Sequence, residues 1–209
     1  MKYSTFKQRI KSLPVFYAGL LSSLTEDTET RKVQLSGWKK KGLVVRLRKG
    51  VYVLGKEDRI IEPSLYYLAN QIFIPSYLSL ESALAFYGLI PDFVGQITSV
   101  TTRKTCEFKN EFGVFSYQHL KQKCYTGFDF LKDENNLNTL IAEPEKAIVD
   151  FLYLNLAKFS INKQDIFEES YRFQNCNQLS RKKIKIFTKL FESKKLNTVC
   201  DLFVERIIR

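Results

Sequence analysis

The sequence predicts an α+β fold, in which an N-terminal winged helix-turn-helix precedes a mixed α/β C-terminal domain that ends in a helical subdomain. Three observations predict it: three short amphipathic segments followed by a basic hairpin, Thr- and Val-rich strand segments in the middle of the chain, and aromatic residues at helical spacing in the last fifty residues. The chain has 209 residues, enough for a small and a larger domain. We expect these over residues 1–60 and 61–209, the larger one with a mixed part (61–157) and a helical part (158–209).

The net charge of +11 is unevenly distributed along the chain. Residues 1–60 carry 14 Lys and Arg against 5 Asp and Glu, residues 61–157 carry 7 against 11, and residues 158–209 carry 12 against 6. A basic N-terminal part suggests contact with a polyanion, the alternative being a solvated lysine-rich surface. Composition excludes global disorder, since 44% of the residues are hydrophobic and 26% are charged. No apolar run approaches the ~20 residues that span a bilayer, so no membrane contact is expected.

Two short helices are predicted first. In Tyr3–Leu13, Phe6 and Ile10 lie on one apolar face, and Pro14 ends the helix. Val15–Leu24 is predicted as the second helix. The apolar stretch in this region lacks a good signal-peptide cleavage site after it, which favours a cytoplasmic protein.

The third helix is predicted over Arg31–Lys41, after an N-cap at Thr28 or Thr30. Gly42 is expected to end it. Its apolar residues are Val33, Leu35 and Trp38, and its other faces are basic or polar.

A hairpin follows the third helix. Two β-rich runs, residues 43–47 and 51–54, are joined by Arg48-Lys49-Gly50, with glycine where a tight turn needs it. Three short helices and then a basic two-stranded hairpin is the element order of a winged helix-turn-helix.

This order predicts a DNA interface. The third helix is narrow enough to enter the major groove, where Gln34 offers hydrogen bonds to base edges, and the hairpin would contact the phosphate backbone. The alternative is a protein-docking module, because winged helices also serve that purpose. The predicted DNA-binding residues are Thr30, Arg31, Lys32, Gln34, Ser36, Lys39, Lys40, Arg46, Arg48 and Lys49.

The middle and the tail of the chain are predicted to contain helices and a sheet. Helices are predicted over Pro63–Ile72, over Leu80–Tyr87 with Ser79 as N-cap, and from Glu143 to Leu156. Ile97–Thr105 is a predicted strand that pairs with Val114–Tyr117 across a turn at residues 110–113, and Phe128 and Phe130 continue the sheet. Two or three further helices are expected over 161–209. Their basic cluster Arg181–Lys185 is either a second nucleic-acid contact or, as we favour, a solvated face.

One pattern suggests metal chemistry. Pro91-Asp92 with Glu107-Phe108-Lys109 fits the spacing of a large nuclease superfamily, in which two carboxylates hold Mg²⁺ and a lysine positions the attacking water. The pattern is short and frequent by chance, so the Mg²⁺-dependent nuclease is the alternative function rather than the preferred one.

Other chemistry is not required by the sequence. His119 is the only histidine, and helix capping accounts for Glu143, Glu145 and Lys146. The nine glycines form no phosphate-binding loop. The four cysteines form no C-x-x-C pair and are expected to be reduced thiols. We therefore expect no enzyme, no catalytic residue, no cofactor and no metal site.

Four segments in order resemble one protein family. They are residues 41–52, 77–89 (Tyr-Leu-Ser-Leu-Glu-Ser-Ala-Leu-Ala-Phe-Tyr-Gly-Leu), 97–105 and 141–150 (Ile-Ala-Glu-Pro-Glu-Lys-Ala-Ile-Val-Asp). Together they resemble AbiEi-type antitoxins, the regulators of bacterial type IV toxin–antitoxin and phage-defence loci. The resemblance covers most of residues 1–155, and the stretch from Lys158 matches only loosely.

The resemblance implies a function. A member of that family represses its own promoter by binding repeated sites in double-stranded DNA. Its C-terminal domain counters a nucleotidyltransferase-like toxin, generally without a stable complex between the two proteins. The sequence leaves a monomer and a weak dimer both open, because a monomer on two repeats and a dimer on one palindrome look alike in sequence.

Overall fold

The chain is mixed α+β, as predicted. The computed structural model describes residues 1–23, 28–91, 95–159, 167 and 172–208, and these residues form seven α-helices and two β-sheets. Helices pack against both sheets, and one β-hairpin contributes side chains to the two hydrophobic cores of the protein.

The N-terminal unit contains two helices and three strands. Helix α1 (Tyr3–Ile10) leads to β1 (Phe16–Tyr17) and a 3-10 helix (Ala18–Ser23), and α2 (Thr28–Lys40) leads to β2 (Val44–Arg48) and β3 (Val51–Leu54). The strands form one antiparallel sheet in the order β1-β3-β2.

The predicted second helix, Val15–Leu24, is wrong. Phe16 and Tyr17 pair with Tyr52 and Val51 of β3, and only Ala18–Ser23 is helical, as a 3-10 helix. The apolar pattern of this segment fits either state, and pairing with a distant strand decides between them. Residues 24–27 lie outside the described part of the chain.

Aromatic packing holds the N-terminal unit together. Phe6 of α1 stacks on Trp38 of α2 with ring centroids 4.8 Å apart, and it meets Phe16 edge-on at 5.3 Å. Ile10, Leu21, Leu35, Val44 and Leu54 complete this small core. Burying one such large side chain stabilises the fold by about 1.5–3 kcal/mol, so α2 is fixed chiefly by Trp38 and Leu35.

The larger unit is built on a six-stranded mixed sheet in the order β6-β7-β5-β4-β9-β8. The pairs β5–β7 and β4–β9 are parallel, and the other neighbours are antiparallel. Its elements are α3 (Leu65–Ile72), β4 (Tyr77–Leu78), α4 (Leu80–Phe86), β5 (Ile97–Thr101), β6 (Cys106–Asn110), β7 (Gly113–His119), β8 (Phe128–Lys132), β9 (Asn138–Ala142) and α5 (Pro144–Leu154).

Local signals explain where these helices begin and end. Ser64 caps α3 by accepting a hydrogen bond from the Tyr67 amide at 3.1 Å. Pro144 occupies the first turn of α5, where its missing N–H costs nothing. After α4, Gly88 adopts a positive φ of 64° that ends the helix.

The predicted strand pairing in the middle of the chain is partly wrong. Ile97–Thr101 does pair with the 113–119 segment, but in parallel. The hairpin across residues 110–113 is made by β6, which the sequence did not reveal as a separate strand. Cys106 and Phe108 alternate there with charged residues, so the segment is amphipathic but short on strand-forming residues.

Two helices follow in the C-terminal part that the structure describes. They are α6 (Arg181–Lys189) and α7 (Lys194–Arg206), capped by Ser180 and Ser193. Both pack on α5. The predicted helix around residues 161–171 falls outside the described residues, apart from Phe167.

The β2–β3 hairpin belongs to both cores. Val44 and Leu54 face the N-terminal core, whereas Leu47, Val51 and Val53 belong to the large core. Leu47 is the extra residue of a β-bulge between Arg46 and Arg48. Both faces of the hairpin therefore carry buried side chains.

Candidate nucleic-acid interface

One face of α2 is open to solvent and carries positive charge. Leu35 and Trp38 point into the N-terminal core, with 9% and 8% of their surface exposed. The described side chains of α2 that are exposed are Lys32, Val33, Ser36, Lys39 and Lys40. By helical spacing Val33, Ser36 and Lys40 point away from the core, and Lys32 and Lys39 flank it on the Leu35 side. Four of them are members of the predicted DNA-binding set.

Val33 is the residue of this face that the sequence interpretation missed. Its side chain is 69% exposed, although an apolar residue of an amphipathic helix is expected inside. Helical spacing already indicates this exposure, because Val33 stands two residues from the buried Leu35 and therefore about 160° away around the helix axis. It therefore shares a face with Ser36 and Lys40.

Gln34 does not lie on this face. It stands two residues from Ser36, again about 160° around the axis. Its side chain is half-buried, and its Oε1 has no hydrogen-bond partner among the described residues. Gln34 is thus separated from the exposed lysines. The backbone of Thr30 and Arg31 lies in the first turn of α2, but their side chains lie outside the described part.

The hairpin contributes two further exposed cations. Arg46 on β2 and Lys49 in the turn are both exposed. Gly50 follows Lys49 with a positive φ of 86°, a conformation that glycine adopts without strain. The turn therefore projects Lys49 into solvent just after the strand that carries Arg46.

Arg48 is held by protein instead. Its Nε donates a hydrogen bond to the carbonyl oxygen of Ile72 at the end of α3, and its Nη1 donates to the Lys49 carbonyl at 3.1 Å. The bulge shifts the register after Arg46, so Arg48 does not continue the Arg46 face. In this arrangement the Arg48 guanidinium joins the hairpin to the larger unit.

A charged cluster anchors α1 beside the hairpin. Lys7 Nζ lies 2.7 Å from Asp58 Oδ1, and the Tyr3 hydroxyl donates to Asp58 Oδ2 at 2.6 Å. The hydrogen bonds from Lys7 and Tyr3 lower the pKa of Asp58, because they favour the ionised form. Lys7 is therefore committed to an internal ion pair.

This cluster predicts a pH-dependent contribution to stability. Because the folded-state pKa of Asp58 is lowered, its contribution is present above the usual value of 3.8 and is lost as the pH falls through the lowered pKa. We expect Asp58→Asn to reduce the free energy of unfolding by about 1 kcal/mol at pH 7 and by much less near pH 3. Urea unfolding at both pH values checks this, with Glu57→Gln, an exposed neighbour, as the control. An equal penalty at both pH values would contradict the ion-pair assignment.

The residues of the alternative nuclease pattern are only partly described. Glu107 and Lys109 lie on β6 and are both exposed, on one face of the strand. Asp92 lies outside the described residues. Within the described ranges, no three His, Cys, Asp or Glu side chains are grouped as metal ligands. No observation here favours that chemistry.

The acidic start of α5 is enclosed by protein. Glu145 is 6% exposed, and its Oε1 accepts a hydrogen bond from the Ser180 amide at 2.8 Å. Glu143 is the N-cap residue of α5 and pairs with Lys183 of α6. His119 donates from Nδ1 to the Arg103 carbonyl oxygen at 2.9 Å. Capping and packing thus account for these groups.

A fully buried polar network lies under α5. Lys146 and Asp150, both 0% exposed, form an ion pair one helical turn apart. Lys146 Nζ also donates to the Tyr77 hydroxyl, and the hydroxyls of Tyr77 and Ser79 donate to Asp150 Oδ2, each at 2.9 Å. Burial raises the pKa of Asp150, and the Lys146 ammonium opposes that effect. Because no member reaches solvent, the network can hold the sheet against α5 but cannot meet a substrate.

Comparison with known proteins adds no relative: neither the family models nor the curated proteins give a match. In the described ranges of the chain, no helix is both long and apolar enough to cross a membrane.

Proposed function

We propose that this chain is a DNA-binding transcriptional repressor and the antitoxin of a type IV toxin–antitoxin system. The observation that carries the DNA-binding part is the exposed basic face of α2, which lies directly before a basic hairpin turn in the chain. The element order α1, β1, 3-10 helix, α2, β2, β3, with the sheet order β1-β3-β2, supports a winged-helix interpretation of residues 1–60.

The mechanism assigns roles by position on the helix. In the major groove, Ser36 would hydrogen-bond a base edge, and the Val33 methyl groups would contact a thymine methyl. Lys32, Lys39 and Lys40 would bind the flanking phosphates. Arg46 and Lys49 would meet the backbone from the hairpin, so these five side chains would neutralise about five phosphates.

The regulatory part of the proposal rests on the family resemblance. The four motifs that resemble AbiEi-type antitoxins imply binding to repeats in the protein's own promoter. They also imply that the C-terminal domain counters a nucleotidyltransferase-like toxin without forming a stable complex with it. A toxin gene beside this one would support both parts.

Fluorescence anisotropy tests the proposal directly. The full chain is titrated into its own upstream DNA and into an unrelated duplex of equal length, across a salt series, with EDTA or Mg²⁺. We expect the upstream DNA to bind about a thousandfold more tightly than the control at moderate salt. Equal, weak binding to both duplexes would contradict specific repression and favour a protein-docking module. Shortening of the DNA with Mg²⁺ would favour the nuclease alternative.

Val33 gives a sharper test of the helix assignment. We expect Val33→Ser to weaken binding to the upstream DNA about fivefold, since an apolar base contact contributes about 1 kcal/mol, and to leave the unrelated duplex unaffected. The exposed side chain adds little to folding, so the free energy of unfolding should not change. The matched variant Lys49→Ala should instead weaken binding to both duplexes equally and should reduce the slope of log K against log salt by about 1. If Val33→Ser also weakened binding to the two duplexes equally, Val33 would not contact bases and the assignment of α2 as the recognition helix would be wrong.

A further inference from the structure

Strand β8 forms an open edge of the six-stranded sheet. Within the described residues it pairs only with β9. Its central residue, Phe130, is 72% exposed, the largest exposure among the large apolar side chains described. An exposed apolar edge strand can accept another strand, so its presence calls for an explanation.

The opposite edge of the sheet is different. On β6 the apolar residues Cys106 and Phe108 are half-buried, and the outward side chains are charged. Asn110 at its end donates to the Leu47 carbonyl of the hairpin at 3.1 Å. That edge adjoins the N-terminal unit, whereas β8 lies at the other end of the strand order.

Pockets flank β8 on both faces. Phe130 pairs with Leu140 and Leu131 pairs with Thr139, so the two pairs stand on opposite faces of the sheet. The Phe130 face adjoins an apolar pocket of about 240 Å³ that Ile74 also lines. The Leu131 face adjoins a larger pocket, of about 510 Å³. Pockets on alternate sides of an edge strand are what a strand-adding peptide needs for its alternate side chains.

The larger pocket contains a buried hydroxyl without a partner. Thr139 is 1% exposed and lines this pocket, and its Oγ1 makes no hydrogen bond to any described residue. Native proteins satisfy nearly all buried polar groups, so this hydroxyl points to a ligand with which it exchanges a hydrogen bond, and it can accept one from a donor.

The same pocket carries more negative than positive charge. Glu62, Asp133 and Glu134 line it against one cation, Lys132, and Glu62 also pairs with Arg59. Burial acts to raise the pKa of Asp133, but hydrogen bonds from the Leu137 and Asn135 amides and from Ser64 outweigh it and lower the pKa. The carboxylate is thus ionised at neutral pH.

We propose that β8 is the docking site for an extended segment of a partner polypeptide, which adds to the sheet as a further strand. Its apolar side chains lie beside Phe130, and a lysine or arginine between them lies beside Leu131. Two strand spacings, about 10 Å, separate the added strand from β9. A long cationic side chain covers most of that span and donates to Thr139 Oγ1 among the carboxylates. This docking is independent of the proposed DNA binding.

A peptide titration of the full chain tests the proposal. The probe is acetyl-Phe-Lys-Val-Lys-Phe-amide, followed by backbone amide NMR shifts and hydrogen exchange. We expect shifts and added protection confined to residues 128–132 and the two pockets. The glutamate analogue, and a lysine peptide N-methylated on alternate amides, should each bind at least tenfold more weakly. The chain itself has a net charge of +11, so a preference for lysine runs against its overall charge.

Matched variants locate the site. Phe130→Ser should weaken binding of the lysine peptide at least tenfold. Ile186→Ser, which changes an exposed apolar residue on α6, should leave that binding unchanged. Thr139→Val should keep or raise the melting temperature and still weaken the peptide severalfold. Scattered shifts, stronger binding of the glutamate peptide, or a dimer of the chain that Phe130→Ser abolishes would each overturn the proposal.

Discussion

Replacing Lys39, Lys40 and Lys49 together by glutamate is expected to weaken binding to the upstream DNA at least a hundredfold. All three side chains are exposed on the proposed interface. Each lysine removed from a phosphate reduces the number of released counterions, so the slope of log K against log salt should fall by about 3. Reversing the charge adds repulsion, which makes the loss larger than neutralisation alone would give.

The control is a second basic surface on the same chain. Lys182, Lys185 and Lys189 are exposed on α6, and the triple glutamate variant there changes the net charge equally. We expect it to weaken binding only slightly and to leave the salt slope nearly unchanged. If the α6 variant lost as much affinity as the variant at Lys39, Lys40 and Lys49, the basic cluster at residues 181–185 would be a nucleic-acid contact in its own right. If neither lost affinity, the interface proposed on α2 would be wrong.

Asp150→Ala is expected to lower the free energy of unfolding by about 3–5 kcal/mol. The variant leaves Lys146 Nζ buried without its countercharge, with the Tyr77 hydroxyl as its remaining acceptor in the network. Guanidinium unfolding followed by circular dichroism measures the change, as a lower midpoint at an unchanged m-value. Asp129→Ala, at an exposed site on β8, is the control and should cost well under 1 kcal/mol.

Two further variants separate the ion pair from simple packing. Ser79→Ala removes one hydrogen bond to Asp150 and should cost about 1–2 kcal/mol, so it folds even if Asp150→Ala does not. Lys146→Met combined with Asp150→Leu removes both charges and should recover much of the loss. A loss as large in the double variant as in Asp150→Ala would indicate that shape, rather than charge, dominates at this position.

Helical spacing and turn chemistry predicted much of the fold. The periodic positions of α1, α3 and α5 and the glycine of the hairpin turn are local signals, and the structure confirms each of them. Ser79 does precede α4 at the predicted N-cap position, but its hydroxyl donates to Asp150 and does not cap the helix. The missed elements depend on partners far away in sequence. β1 is only two residues long, and its extended conformation depends on pairing with β3. β5 runs parallel to β7 because β6 lies between them in the chain and forms the antiparallel hairpin with β7.

The positions of the candidate site residues were also predictable where local pattern decides them, and not where packing or a bulge decides them. Lys32, Ser36, Lys39 and Lys40 follow from the helical pattern of α2, and Lys49 follows from its place in the turn. The position of Arg48 could not be predicted, because strict alternation along β2 places it on the same face as Arg46, whereas the β-bulge at Leu47 turns it to the other face. Gln34 was selected by its side-chain type, although its position relative to Leu35 and Trp38 already placed it away from the lysines.

Because both faces of the β2–β3 hairpin carry buried side chains, the chain cannot be cut after the hairpin without exposing a hydrophobic core. A fragment that ends near residue 60 would expose Leu47, Val51 and Val53, so the part proposed to read DNA is not a detachable module. Grafting it onto another scaffold would require a new apolar surface beneath the hairpin and an acceptor for Arg48. If the chain reads DNA as proposed, its specificity is therefore more easily changed by substitutions on the exposed face of α2 than by exchanging whole N-terminal units.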